Sequence, residues 1–417
     1  MAWVEWDMST RSYVDPRSIL DTHQDFFGHD RLARSLLRTL PRLKPGSTVA
    51  VHGAPGSGKN TFLLRAAFLL EHERSTLKFD PRATTGAWCW YNPWLYLKHG
   101  NILSGLVATI AQYCDHPQAL DRARDIIGHL NRMHFGETMP ATSGTGVNPG
   151  DVNPVDRVRR GFIQLIELHR AQNPGRVLVF IEDCDMLRPS ARLLLLEGLR
   201  LLSTHDSNVT FVVSMGRESA LESMRVREGD IDERSAGYCL AELIDLAITV
   251  PGLDLRRISQ LMRMHLGTGQ DVVRSAFGPD AIDALSTALT SRPLGMPRFL
   301  ERLAGRVVLL GEYAAASRTN RELSESQWAW VIVSERWPAF RRFMLRGGRD
   351  RWLHLRDALI QGKVPGQGKV NSDAHEVNAW LQKDPILTDY LRLYADDFER
   401  EADAIYWLET LQLACGL

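Results

Sequence analysis

A glycine-rich turn between an apolar run and a helix-forming run constrains this chain more than any other segment. The apolar run is Thr48–His52, and a leucine- and alanine-rich run follows the turn. Gly53, Gly56 and Gly58 permit positive φ angles, so the backbone can direct N–H groups into one hollow, to which the starting helix adds its positive dipole end. The pattern predicts a phosphate cradle, with Lys59 against the β- and γ-phosphates. The residues of the cradle are Gly53, Ala54, Pro55, Gly56, Ser57, Gly58, Lys59, Asn60 and Thr61.

One position departs from the phosphate-binding pattern G-x-x-x-x-G-K-[ST], in which the final hydroxyl binds Mg²⁺. Asn60 stands at that position, and Thr61 follows one residue late. The sequence therefore supports nucleotide binding better than hydrolysis. Asn60 and Thr61 remain candidate metal ligands, together with Glu182.

The composition argues against several function classes. Lys and Arg number 50, as do Asp and Glu, so no overall charge attracts nucleic acid or an anionic membrane. Five separated cysteines without a C-x-x-C pair argue against a disulfide framework or zinc knuckle and favour a reducing cytosol. We expect neither secretion nor membrane spanning, because the chain starts without a basic and apolar leader and no apolar run reaches about 18 residues. Zinc hydrolysis and serine esterase chemistry lack their motifs, H-E-x-x-H and G-x-S-x-G.

Further apolar runs predict the strands of a sheet. Helical segments separate these runs, so the sequence predicts an α/β fold: a P-loop parallel sheet with helices on both faces. A helix predicted at residues 31–37 would lie beside the nucleotide, and the turn-forming residues 138–150 predict a mobile polar loop. The predicted strands after the cradle are residues 87–91, 177–181, 209–213 and 246–250.

Changes of pattern along the chain predict four parts. Residues 1–25 are expected to form an irregular N-terminal arm, and residues 26–252 the P-loop core. Strand patterns fade from about Asp254, and amphipathic helices dominate from there to the end of the sequence. We therefore predict a helical lid at residues 253–320 and a helical C-terminal domain at residues 321–417.

A cluster of carboxylates follows the apolar run 177–181. The strand beside a phosphate cradle can deliver one carboxylate to a Mg²⁺ shell and another to the attacking water. We expect Glu182 to be the metal ligand and Asp183 the general base, with Asp185 as a helix cap or a supporting group. The alternative is that these acids only cap the next helix.

Two arginines are candidates for contact with the nucleotide. Arg217 follows the run 209–213 closely enough to stabilise charge on a transferring phosphoryl group, and Ser214 before it could sense the phosphate. Arg298 follows a proline-ended turn at the start of a predicted helix, from which lid arginines reach back to phosphates. The alternatives are an ordinary surface arginine at 217 and a salt-bridged helix-start residue at 298.

Aromatic residues cluster after the second predicted strand and in the last quarter of the chain. Trp88, Trp90, Tyr91, Trp94 and Tyr96 could stack on bases, but strand alternation favours burial in the core. The C-terminal tryptophans have near-helical separations in places, which favours a core or a partner interface. These C-terminal residues are Trp328, Trp330, Trp337, Trp352, Trp380 and Trp407.

Four stretches resemble the KAP family of P-loop NTPases, which is similar in turn to the STAND and AAA+ switches. The match spans roughly Phe26 to Leu310, and the aromatic stretch is its most family-specific part. Three positions differ from the family's pattern: Asn60 replaces a hydroxyl, while Glu182 and Gly216 stand where aspartate is usual. The four stretches are Gly53–Lys59, Trp90–Tyr96, Ile181–Asp185 and Leu294–Arg298.

The chain resembles the branch of the KAP family that has no transmembrane hairpin. This resemblance implies an ATP-binding switch with ATP and Mg²⁺ as cofactors. It also implies roles in bacterial signalling assemblies or in defence against phage. We expect the C-terminal helices to bind a protein partner, and a homo-oligomer is compatible with the sequence. Binding of nucleic acid has no support from the balance of charges. Two alternatives remain: a non-hydrolysing scaffold stabilised by nucleotide, and an AAA+-like loader acting on DNA.

Overall fold

The structure is a computed structural model in which the chain divides into two units, Met1–Pro251 and Gly252–Leu417. The predicted arm at residues 1–25 and the predicted loop at residues 138–150 lie outside the described residues. The residues described are 28–72, 85–99, 101–134, 153–204, 206–228, 232–251, 253, 255–290, 297–361, 372–400, 405, 407–410 and 412.

A five-stranded parallel sheet forms the centre of the first unit. Its strands stand in the order β2-β3-β4-β1-β5. Because the strands are parallel, their carboxyl ends meet at one edge of the sheet, where open α/β sheets bind ligands. The strands are β1 (Thr48–His52), β2 (Thr85–Tyr91), β3 (Arg176–Ile181), β4 (Val209–Ser214) and β5 (Leu246–Thr249).

The order of the strands corrects one expectation from the sequence. The acid-bearing strand β3 does not lie beside β1, because β4 is inserted between them. Val49 of β1 is in register with Val212 of β4, and Val179 of β3 is in register with Phe211. All three strands are short apolar runs, so their composition carries no information on which of them are neighbours.

Helices cover both faces of this sheet, as predicted. Val49 and Val51 of β1 pack in one apolar core with the first two helices, whereas Ala50 packs in a second core with the others. This alternation follows from the two-residue repeat of a strand. The helices are α1 (Asp30–Thr39), α2 (Lys59–His72), α3 (Ile102–Gln112), α4 (Ala119–His134), α5 (Pro154–Gln172), α6 (Pro189–Leu202), α7 (Arg217–Glu228) and α8 (Glu233–Leu243).

Every regular element among the described residues of the second unit is a helix, in agreement with the fading of strand patterns after Asp254. None of the helices in the described part of the chain is long and apolar enough for a bilayer span. The helices are α9 (Leu255–Leu266), α10 (Gln270–Phe277), α11 (Ala281–Thr290), α12 (Pro297–Ala316), α13 (Glu325–Arg336), α14 (Pro338–Arg346), α15 (Gly348–Gln361), α16 (Ser372–Lys383), α17 (Pro385–Arg392) and α18 (Ala395–Arg400).

A buried ion pair crosses the core of the second unit. Arg341 donates from Nη2 to Glu409 Oε2 at 2.6 Å and from Nε to both carboxylate oxygens, and both side chains are almost fully buried. Trp330 and Ser334 also donate to this carboxylate. Trp328, Trp330 and Trp352 are buried, so the core interpretation of these C-terminal tryptophans is confirmed.

The aromatic residues after β2 divide between the core and the surface. Trp90 and Tyr91 are buried, as strand alternation predicts. Trp94 is 40% exposed, so the expectation of burial was wrong at that position. The reason is that β2 ends at Tyr91, and Trp94 belongs to the 3₁₀ turn Pro93–His99, where the strand repeat no longer applies.

Candidate phosphate-binding site

The predicted cradle joins β1 to α2 at the carboxyl edge of the sheet. Gly56 and Gly58 adopt φ angles of 79° and 92°, which favour glycine, and the Ser57 N–H donates to the Ala54 carbonyl at 3.0 Å. A Cβ on Gly53 would lie 2.3 Å from Ser57 Oγ, so a side chain there requires the Ser57 hydroxyl to shift. The helix begins at Lys59, and its first N–H groups have no partner within the helix. The turn therefore has positive φ angles at Gly56 and Gly58 but not at Gly53.

Lys59 is folded back over this turn. Its Nζ donates to the carbonyl oxygens of Gly53 at 2.8 Å and Ala54 at 3.0 Å, and it forms an ion pair with Asp185 Oδ2 at 2.9 Å. An ammonium group has three protons, and these three acceptors match them. The side chain is only 7% exposed. A phosphate entering the turn must therefore compete with an existing partner of Lys59.

Asp185 connects the cradle to the end of β4. Its Oδ2 contacts Lys59, and its Oδ1 accepts a hydrogen bond from the Gly216 N–H at 2.7 Å. Of the two expectations for Asp185, the contact with Lys59 agrees with a supporting group, whereas α6 begins at Pro189 and its N-terminus has no side-chain cap. Gly216 directly precedes α7, so Asp185 links the lysine of the cradle to the start of that helix.

Asn60 lies between the acid cluster and β4. Its Nδ2 donates to Asp183 Oδ1 at 2.7 Å, and its Oδ1 accepts a hydrogen bond from Ser214 Oγ at 2.8 Å. Asp183 has a φ of 53°, a left-handed conformation that a residue with a side chain adopts at a cost. The sequence placed Asn60, Asp183 and Ser214 at one site, and the structure brings them into contact.

Asn92 is a member of the site that sequence reasoning did not single out. Its Nδ2 donates to Glu182 Oε1 at 3.1 Å and to Asp183 Oδ2 at 3.3 Å. Its Oδ1 accepts from the Trp94 N–H at 3.0 Å, which fixes the amide at the start of the 3₁₀ turn. Its position directly after a predicted strand was the available signal, because the ends of parallel strands meet at one edge.

Burial determines the electrostatics of Glu182. Burial, together with the charge of neighbouring Asp183, raises the pKa of this carboxyl to about 7, against the opposing effect of hydrogen bonds from Trp90 and Asn92. His52, at the end of β1, is affected in the opposite direction, because burial lowers the pKa of its imidazole. Within the site, Glu182 therefore takes up a proton near neutral pH.

The remaining candidates are not among the groups that make these contacts. Arg217 is the first residue of α7; its side chain is 71% exposed and lies 4.0 Å from Glu233 Oε1. Thr61 is half-buried in the first turn of α2. Arg298 is exposed in the first turn of α12, in the second unit. Among the described residues, no group of three or more His, Cys, Asp or Glu side chains is arranged to hold a metal ion.

Comparison with known proteins gives only distant likenesses. No family model and no curated protein matches the chain. A solved structure of Drosophila ORC bound to DNA is similar at 9% identity and a TM-score of 0.39, over 95% of this chain and 87% of that chain. A structure of Drosophila ORC bound to GC-rich DNA and Cdc6 is similar at 10% identity and a TM-score of 0.33, over 96% and 69% of the respective chains. Because these scores are low, the fold class rests on the sheet order and the glycine-rich turn themselves.

Proposed function

We propose that the first unit is an ATP-binding switch of the KAP type, with the turn Gly53–Lys59 as its phosphate site. The observation that carries this proposal is the position of Lys59, whose ammonium lies on the turn and on Asp185 at the same time. An anion bound in the turn competes with the Asp185 carboxylate for that ammonium. Occupancy of the site is thereby coupled to the Asp185 contact.

The residues present fit a phosphate chain. Ser57 Oγ is buried and finds no hydrogen-bond partner among the described residues, so it is free to donate to a phosphate oxygen. The N–H groups at the start of α2 and the dipole of that helix favour an anion at the same place. Bound there, the nucleotide supplies a phosphate chain, which carries more negative charge in ATP than in ADP. Lys59 binds the phosphate oxygens, and the turn orients the phosphate chain.

The switch is transmitted through Asp185. When Lys59 turns toward phosphate, Asp185 loses its cationic partner, while its other oxygen still accepts from Gly216 at the start of α7. The position of α7 therefore depends on the charge in the cradle. In this proposal Glu182 and Asp183 act on water at the γ-phosphate, and the helices of the second unit bind a protein partner.

A non-hydrolysing scaffold is the second candidate, and Asn60 favours it. The position that supplies a metal-binding hydroxyl in the usual pattern carries an amide whose nitrogen contacts Asp183. A protein of this kind would bind ATP without releasing phosphate. Phosphate release by wild-type protein and by Asp183→Asn distinguishes the two candidates, since only a hydrolase loses activity on this substitution.

Titration calorimetry with ATP, ADP and GTP tests the proposal. We expect the wild type to bind ATP and Lys59→Ala to lose at least about tenfold in affinity, equivalent to about 1.4 kcal/mol. Lys44→Ala removes an exposed lysine of the same unit and should bind as the wild type does. Equal affinity of the wild type and Lys59→Ala would contradict the proposed site.

A further inference from the structure

We infer that the Asn60 side-chain amide takes the place of a divalent cation, so that the cradle binds its nucleotide without Mg²⁺. This inference rests on the proposed function, because it concerns the ligand of the same site. It starts from the contact between Asn60 Nδ2 and Asp183 Oδ1, at 2.7 Å. A magnesium ion held by the residue after the cradle lysine would have to interrupt that contact.

The hydrogen-bond chemistry fixes which way the amide points. An ionised carboxylate only accepts hydrogen bonds, so the atom of Asn60 that faces Asp183 must be the nitrogen. The oxygen then faces Ser214, whose hydroxyl donates to it at 2.8 Å. Turning the amide over would place its oxygen against a carboxylate oxygen, with two acceptors and no proton between them. The only atom of Asn60 able to bind a metal is therefore directed away from the acid cluster.

Both oxygens of Asp183 already have amide donors. Oδ1 accepts from Asn60, and Oδ2 accepts from Asn92 at 3.3 Å. Magnesium requires oxygen ligands at about 2.0–2.1 Å in nearly octahedral geometry and gives up its water reluctantly. A cation held between Asn60 and Asp183 Oδ1 would displace the donor from Asn60 and leave that amide nitrogen without its acceptor. These residues do not fit a magnesium ion as hydroxyl-bearing cradles do.

Groups other than a metal ion offset part of the negative charge of the ligand. Lys59 supplies a full positive charge on the turn, and the first N–H groups of α2 supply partial charges. The ligand expected here is a metal-free nucleoside triphosphate. Asn60 is then a specificity-determining residue, because it removes the requirement for Mg²⁺ that a hydroxyl at this position carries.

Calorimetric titration of the full chain with ATP, once in EDTA and once in excess Mg²⁺, tests the inference. For the wild type we expect dissociation constants within about threefold of each other, or weaker binding with Mg²⁺. Asn60→Thr restores the hydroxyl and releases Asp183 Oδ1, so its affinity should rise at least about tenfold when Mg²⁺ is added. Asn153→Thr makes the same change at the exposed start of α5 and should leave the wild-type ratio unchanged.

The possible outcomes separate this inference from the proposed function. Binding of ATP by the wild type only in the presence of Mg²⁺ would overturn the inference and leave the phosphate site intact. Absence of binding in both conditions would overturn the proposed function, and the inference with it. Since the wild-type comparison decides these cases alone, loss of folding in Asn60→Thr, checked by thermal denaturation, would not remove the test.

Discussion

The Lys59 ammonium lies 2.9 Å from Asp185 Oδ2 and contacts two carbonyl oxygens of its own turn. The second oxygen of the same carboxylate accepts the Gly216 N–H. One carboxylate from the end of β3 therefore joins the phosphate-binding turn to the start of α7.

Asp185→Asn should tighten ATP binding about tenfold, equivalent to about 1.4 kcal/mol. The substitution removes a negative charge near the phosphates and the ionic competitor for Lys59, while the amide oxygen of asparagine can still accept from Gly216. Titration calorimetry measures the change. Asp206→Asn, at an exposed position of the same unit, is the matched control and should leave affinity unchanged. Weaker binding by Asp185→Asn would mean that the carboxylate helps to hold the ligand.

Gly53→Ala should weaken ATP binding at least about tenfold, because its Cβ would lie 2.3 Å from Ser57 Oγ and 3.2 Å from Lys59 Cγ. Both side chains are assigned to the phosphate site, and both must shift to admit the methyl group. Gly128→Ala is the control, since its Cβ meets nothing within 4 Å on helix α4. That control should retain affinity and gain up to about 1 kcal/mol in stability. Unchanged binding by Gly53→Ala would show that the ligand does not use this turn.

Glu182→Gln should stabilise the protein more at pH 8 than at pH 5. The folded-state pKa of Glu182 is raised to about 7 from 4.5, so the stability linked to its protonated form is complete below about pH 4.5. That stability is lost as the pH rises through 7, and glutamine does not titrate. The difference between the two pH values should be at most about 3 kcal/mol, measured by urea denaturation. A stability difference that does not change with pH would contradict the buried environment of this carboxyl.

Glu409→Gln should destabilise the second unit by about 3–5 kcal/mol, because it removes the negative charge that faces the buried Arg341 guanidinium. Asp397→Asn removes a carboxylate from the exposed pair with Arg400 and should cost less than about 0.5 kcal/mol. Denaturant unfolding followed by tryptophan fluorescence reports this change, since Trp330 also donates to Glu409. A cost for Glu409→Gln as small as that for Asp397→Asn would contradict the buried pair.

The sequence predicts the parts of the site that are local in the chain. The turn after β1 and the start of α2 at Lys59 depend on neighbouring residues, so glycine positions and apolar runs are sufficient to find them. The contact of Lys59 with Asp185 spans more than a hundred residues and joins segments that follow β1 and β3, two strands separated by β4. Apolar strands of similar composition do not specify which of them pair, so the insertion of β4 could not be predicted from composition. Composition also gave no indication of the role of Asn92.

Hydrogen exchange of the full chain, with and without saturating ATP, tests the central claim most directly. The account predicts slower exchange of the backbone amides in residues 53–61 when ATP is present, and no such protection in Lys59→Ala at the same ATP concentration. Protection confined to other segments, or equal protection in Lys59→Ala, would contradict the assignment of the phosphate site to this turn.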